Sequence, residues 1–210
     1  MAKTIMAFVS HNDDEIIGIG GTLLKYVKEG KEIIVVIFSY GEKSHPHLKE
    51  EIVSSTRQKE AEDIDKIFER ECIFLGLEEG KIREEANKNN ARGRIKTLVR
   101  KYKPEIIFTH SESDPHPDHK AVNYVVMNAL KKTGYNKSIY TFEVWNILNE
   151  NKPAIYVDIS DTFELKKRLM KKFKSQKVFI YPLWIPVWYR ARSYGKKCDC
   201  KYAEKFYKIQ

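Results

Sequence analysis

Two hydrophobic rhythms alternate along this chain. Ile5 to Ser10 and Glu32 to Ser39 are short, nearly unbroken apolar stretches, as expected of strands buried on both faces. Between them, Glu15 to Glu29 has helical spacing and is closed by Gly30. Glu50 to Arg70 carries Ile52, Val53, Ala61, Ile64, Ile67 and Phe68 at the spacing of an amphipathic helix. Cys72 to Leu75 and Glu105 to Thr109 predict a third and a fourth strand. Ile95 to Lys103 predicts a helix ended by Pro104, and the polar run Glu78 to Asn90 a loop. Pro117 to Lys132 predicts a helix, with Pro117 in its first turn, an apolar stripe from Ala121 to Leu130, and Gly134 beyond its end. Ser138 to Val144 and Ala154 to Ile159 predict further strands, Asp161 to Lys174 another helix, and Tyr181 to Tyr189 an aromatic loop with two prolines. Four strand–helix alternations imply βαβ units, hence a single α/β domain over residues 1–210, three-layered (α/β/α) around a mainly parallel sheet.

With 42% apolar residues in 210, the chain can bury one ample core but hardly two. The longest apolar run, Ile33 to Phe38, has strand length, far below the ~18–20 residues of a membrane span. The opening Met1-Ala2-Lys3-Thr4 shows no apolar signal-peptide core. Three cysteines, Cys72 alone and Cys198 beside Cys200, make no disulfide framework and suit a reducing compartment. The expectation is a cytoplasmic protein. The net charge of +9 raises the option of a nucleic-acid-binding module, but the charges are dispersed and mixed in sign, and no helix shows a basic face beside stacking aromatics.

Ligands of such sheets bind beyond the carboxyl ends of the strands, and two polar clusters fall there. Ser10-His11-Asn12-Asp13-Asp14-Glu15 follows the first strand, and Asp114-Pro115-His116-Pro117-Asp118-His119 follows the fourth. His11, Asp14 and His119 offer two imidazoles and a carboxylate, the donor set of a catalytic zinc site. Asp13 is then placed to act as general base and His116 to stabilise an oxyanion or protonate a leaving amine, while Asp118 can hold one of the rings in its working tautomer. Singly, each acid could equally cap a helix; the joint occurrence points to metal hydrolase chemistry.

Other features say less. Gly18-Ile19-Gly20-Gly21 lacks the third glycine of a dinucleotide fingerprint and suits close helix–sheet packing. Arg57 and Glu60 read either as a surface ion pair or, for Arg57, as a contact to a substrate oxygen or anion. His45-Pro46-His47 reads as a mobile polar loop with substrate contact as the alternative. Trp184, Trp188 and Tyr189 read as core or subunit contact rather than a sugar platform. Cys198-Asp199-Cys200 lacks partners for a cysteine-rich zinc site.

His11-Asn12-Asp13-Asp14-Glu15 with Gly20-Gly21-Thr22, paired with His116-Pro117-Asp118-His119, resembles the PIG-L/LmbE family of zinc-dependent N-acetylglucosaminyl deacetylases. Softer matches extend the resemblance along nearly the whole chain: Ser39 to Glu42, Arg57-Glu60-Ala61, Phe74 to Leu77, and a tail (Arg192, Gly195, Tyr202 to Phe206) similar to bacillithiol-pathway members. The resemblance implies a Rossmann-like fold and removal of acetyl from an N-acetylglucosamine-type sugar or glycoside. It implies His11, Asp14 and His119 as ligands of Zn2+ (Fe2+ being the alternative ion), Asp13 as base, and His116 as acid or oxyanion partner. Asp118 would orient His116, Arg57 would contact substrate, and the family habit is a homo-oligomer. Cleavage of a non-sugar amide is the alternative within the same chemistry. Three residues depart from the family pattern: Asn12 replaces the usual proline, with only a small effect on turn rigidity expected, Pro115 stands where some members have arginine, and Cys200 where glycine is commoner.

Overall fold

A computed structural model describes residues 3–45 and 47–210; Pro46 of the histidine loop and the first two residues lie outside it. Seven strands form one sheet in the order β3-β2-β1-β4-β5-β7-β6. They are β1 (Thr4–Val9), β2 (Glu32–Ile37), β3 (Arg70–Phe74), β4 (Ile106–His110), β5 (Ser138–Phe142), β6 (Ala154–Asp158) and β7 (Ala203–Lys208). β3 through β5 pair in parallel, whereas β7 runs antiparallel between β5 and β6.

The α-helices among the described residues are α1 (Asp14–Lys28), α2 (Glu50–Phe68), α3 (Ile82–Lys88), α4 (Ala91–Tyr102), α5 (Pro117–Leu130), α6 (Phe163–Met170) and α7 (Lys177–Gly195). The period-2 geometry of the strands builds the layers. Ile5, Ala7 and Val9 of β1, with Ile33, Val35 and Ile37 of β2, pack into a core shared with α1, α2, α6 and α7. Met6, Phe8, Ile34 and Val36 point the other way, into a core shared with α3, α4 and α5. This is the three-layer α/β/α domain expected. Gly18 and Gly21 of α1 serve that packing, since a Cβ on either would collide, with Phe142 and with Ile159 respectively.

Two expectations fail. Residues 78–90 are not all loop, because Ile82 and Ala86 bury one face of the short α3. The aromatic stretch 181–189 lies inside α7, which runs through both Pro182 and Pro186. Trp184 of that stretch packs against the core, whereas Trp188 and Tyr189 are exposed. The tail, read only as a family likeness, supplies β7. Among the described residues no helix is long and apolar enough to cross a membrane.

Candidate metal centre and active site

Strand order reverses direction between β1 and β4, so their carboxyl ends open the crevice where open α/β sheets bind ligands. Both polar clusters meet there. His11 leaves β1, Asp14 begins α1, and His119 lies in the first turn of α5, where Pro117 starts the helix. All three are buried, and their ligand atoms lie within 4.8 Å of one another. Asp14 Oδ2 is 3.6 Å from His11 Nδ1, and Asp14 Oδ1 is 3.4 Å from His119 Nε2. Donors ~2.0–2.2 Å from one centre at tetrahedral angles stand about 3.3–3.6 Å apart. His119 Nε2 is buried with no hydrogen-bond partner. The group therefore suits a metal ion.

The outward nitrogens of both rings meet carboxylates. His119 Nδ1 is 3.0 Å from Asp114 Oδ2. His11 Nε2 is 3.6 Å from both Asp118 Oδ2 and Glu79 Oε1. A carboxylate hydrogen-bonded at that nitrogen fixes the tautomer of a metal-ligating imidazole, and Asp114 at 3.0 Å is the one within that reach. Asp118 Oδ2, besides approaching His11, accepts the Gly80 N–H at 3.0 Å and so faces the 78–80 loop. His116 is held by the Asp118 backbone, whose N–H donates to Nδ1 at 3.2 Å. The neutral ring then carries its proton on Nε2.

Charge is concentrated here. Burial disfavours a cation on His11, yet the Asp118 and Asp14 carboxylates push its pKa up to about 10. Burial likewise opposes charge on His119, but Asp14 and Asp114 push it up to about 9. Asp14 works against its own burial too, held well below the carboxylate range by His119 and His11. Without a metal the carboxylates recruit protons onto the imidazoles, so the centre favours a cation. His116 moves the other way, lowered by burial and by the charges of His119 and His11.

Asp13 stands beside the metal group with Arg57 Nη2 donating to its Oδ1 at 3.2 Å. Arg57 is buried, and Nε and Nη2 also donate to Asn12 Oδ1 at 3.0 and 2.8 Å. Arg57 borders the pocket, with Nε and Nη2 engaged by Asn12 and Asp13 and no hydrogen bond from Nη1 among the described residues. Glu60 forms no pair with Arg57; it accepts hydrogen bonds from the Ser175 N–H and hydroxyl. His45 Nδ1 contacts Ser44 Oγ at 3.1 Å and His47 is exposed; neither lines the pocket. Cys198 and Cys200 bring their sulfurs to 3.4 Å, away from this centre.

The centre opens into a cavity of about 180 Å³ lined by Asp13, Asp14, Glu79, His116, Trp145 and Phe179 among others. Glu79, Trp145 and Phe179 escaped sequence reading, as did His110. His110 ends β4, so the strand-end rule applied to one more residue would have found it. Its Nε2 accepts the Ser10 N–H at 3.0 Å, and its ring stacks on His119 with centroids 3.9 Å apart. Burial, with the charge of His119, lowers its pKa to about 4, so it stays neutral.

Known proteins resemble this chain in sequence and in fold. Diacetylchitobiose deacetylase of Thermococcus kodakarensis is 26% identical over 225 residues, spanning 96% of this chain and 81% of that protein. The N,N'-diacetylchitobiose deacetylase of Pyrococcus horikoshii superposes with a TM-score of 0.81 at 24% identity, covering 99% of this chain and 84% of that one. GalB, the 4-carboxy-2-hydroxymuconate hydratase of Pseudomonas putida, superposes with a TM-score of 0.85 at 20% identity, covering 99% and 96%; at that identity the likeness is one of fold. The sequence pattern of PIG-L, described as GlcNAc-PI de-N-acetylase, matches residues 6–130, from β1 through the end of α5 and so across both halves of the centre. By that match over more than half its length, the chain belongs to the PIG-L family.

Proposed function

We propose that the chain is an N-deacetylase that hydrolyses the amide of an N-acetylglucosamine-type sugar or glycoside to acetate and a free amine. The observation carrying this reading is the convergence of His11, Asp14 and His119 at a pocket that also holds Asp13 and His116. Zn2+ is the ion we assign, because two imidazoles and one carboxylate are the donor set of catalytic zinc sites; Fe2+ is the competitor for metal analysis to decide. When bound, the ion supplies Lewis acidity for the amide carbonyl.

The remaining steps belong to this chain's side chains. Arg57 engages Oδ1 of Asp13, which leaves Oδ2 to take the proton of the attacking water. His116, with Nδ1 occupied by the Asp118 N–H, offers its Nε2 proton to the carbonyl oxygen as negative charge builds there. The amide C–N bond then breaks, and the proton held at Asp13 passes to the departing nitrogen. Trp145 and Phe179 give the sugar ring apolar walls. The test is amine release from N-acetylglucosamine and its glycosides, with chelation and metal re-addition. Turnover lost to chelator and restored by Zn2+ supports the reading; no turnover on any of them refutes it.

Two further assignments accompany it. Val178, Tyr181, Ile185, Trp188 and Tyr189 leave large apolar side chains exposed along α7. A contiguous exposed apolar face of this kind suits a contact between subunits, and we assign it to self-association. We place the enzyme in the cytoplasm on its three free cysteines.

A further inference from the structure

Asn12 occupies the position where the family motif has proline, and its surroundings are not those of a turn residue. It is fully buried, and its side chain makes three hydrogen bonds to a single residue 45 positions away. Oδ1 accepts Arg57 Nε at 3.0 Å and Nη2 at 2.8 Å, while Nδ2 donates to the Arg57 carbonyl oxygen at 2.7 Å. The pair is reciprocal: the amide satisfies one edge of the guanidinium and also ties down the backbone that carries it. A proline side chain can make none of these bonds.

The rest of the guanidinium is boxed in. Nη2 also donates to Asp13 Oδ1 at 3.2 Å. Gly41, at φ +69°, lies against Nη1, and a Cβ there would collide with it. Arg57 therefore has one seat, defined by Asn12, Asp13 and the bare backbone of Gly41. From that seat it fixes which oxygen of Asp13 is free.

We infer that Asn12 is a positioning residue: it seats Arg57, and Arg57 aims the Asp13 carboxylate at the water. This deepens, and rests on, the deacetylase reading in which Asp13 is the base. It also separates two roles for Arg57. A substrate-binding arginine acts through KM, whereas an arginine that aims the base acts through kcat, because misplacing a reacting group by about 1 Å can cost ~100-fold in rate.

The test compares Asn12→Ala, Asn12→Pro and Asn12→Asp with wild type in the amine-release assay, with metal content measured in each. Asn12→Ala and Asn12→Pro should lose about 10–100-fold in kcat, with KM within about threefold and metal content unchanged. Asn12→Asp keeps an acceptor for both guanidinium donors and should recover most of the loss. Unchanged kcat, a change confined to KM, or loss of the metal in Asn12→Ala would each overturn the inference. A readout without turnover keeps the two proposals apart. In a proton–nitrogen NMR spectrum, the Arg57 Nε–H should be protected from solvent exchange in wild type and exposed in Asn12→Ala. If wild type turned over none of the substrates, the deacetylase reading would fall; equal protection in both proteins would instead remove the clamp.

Discussion

Replacing Asp114 by asparagine (Asp114→Asn) alters the metal centre without touching a ligand. Oδ1 of Asp114 accepts the backbone N–H of His116 at 2.9 Å, and Oδ2 lies 3.0 Å from His119 Nδ1. A carboxylate can accept on both sides; an amide has one oxygen. Whichever way the substituted amide turns, its NH2 faces a donor, either the His116 N–H or the protonated Nδ1 of His119. Relief comes if His119 moves its proton to Nε2, the nitrogen that must be bare to bind metal. Loss of such a partner typically weakens metal binding 10–100-fold, or about 1.4–2.7 kcal/mol. Titration of the apoprotein with Zn2+ against a competing chelator should therefore give a dissociation constant 10–100-fold above wild type, with an unchanged circular dichroism spectrum. A variant within twofold of wild type would refute the claim that Asp114 sets the tautomer of His119.

Other substitutions probe the remaining parts. Asp13→Ala should reduce deacetylation at least 1,000-fold (on the order of 4 kcal/mol) while leaving metal stoichiometry intact; wild-type kcat would sink the base assignment. Ile185→Glu, in the exposed face of α7, should shift the mass seen by light scattering towards the monomer; wild type already monomeric at micromolar concentration would end that assignment. Glu15 lies fully buried against Arg70, yet burial outweighs that cation and raises its carboxyl to about 7. Because the folded chain holds this proton where the unfolded chain has released it, the stabilisation is full below about pH 4.5 and disappears as pH rises through 7. A span of that size amounts to ~3 kcal/mol. Urea unfolding of wild type against Glu15→Gln should show that difference shrinking from pH 5 to pH 8, and a constant difference would disprove it.

Legibility in the sequence followed the physics of each segment. β1 and β2 are sandwiched between helices, so nearly every residue is apolar and the strands stand out. The two motifs were legible because a crevice at the strand ends collects chemistry from adjacent turns. β7 was hidden because its interior positions include Glu204 and Lys205, which are buried only because Lys166 and Glu143 neutralise them across the fold. α7 was hidden by Pro182 and Pro186, which read as breakers. The protein partners of Arg57 and Asp118 were not legible, because spacing places a residue on an element and does not say which neighbour its side chain meets. Asp118 lies in the first turn of α5, which faces the 78–80 loop, and only the folded chain brings Gly80 and His11 to it.

The place of β7 has a consequence for synthesis. β6 hydrogen-bonds to the sheet only through β7, which is made some 45 residues later. While the ribosome is still extending the chain, residues 154–158 have no strand to dock on. The five parallel strands can assemble first, but the far edge of the sheet must wait for residues 203–208 to clear the exit tunnel. The β6 edge of the sheet is therefore completed only with residues 203–208, and nascent chains stalled before that point should be the ones that chaperones hold and proteases cut.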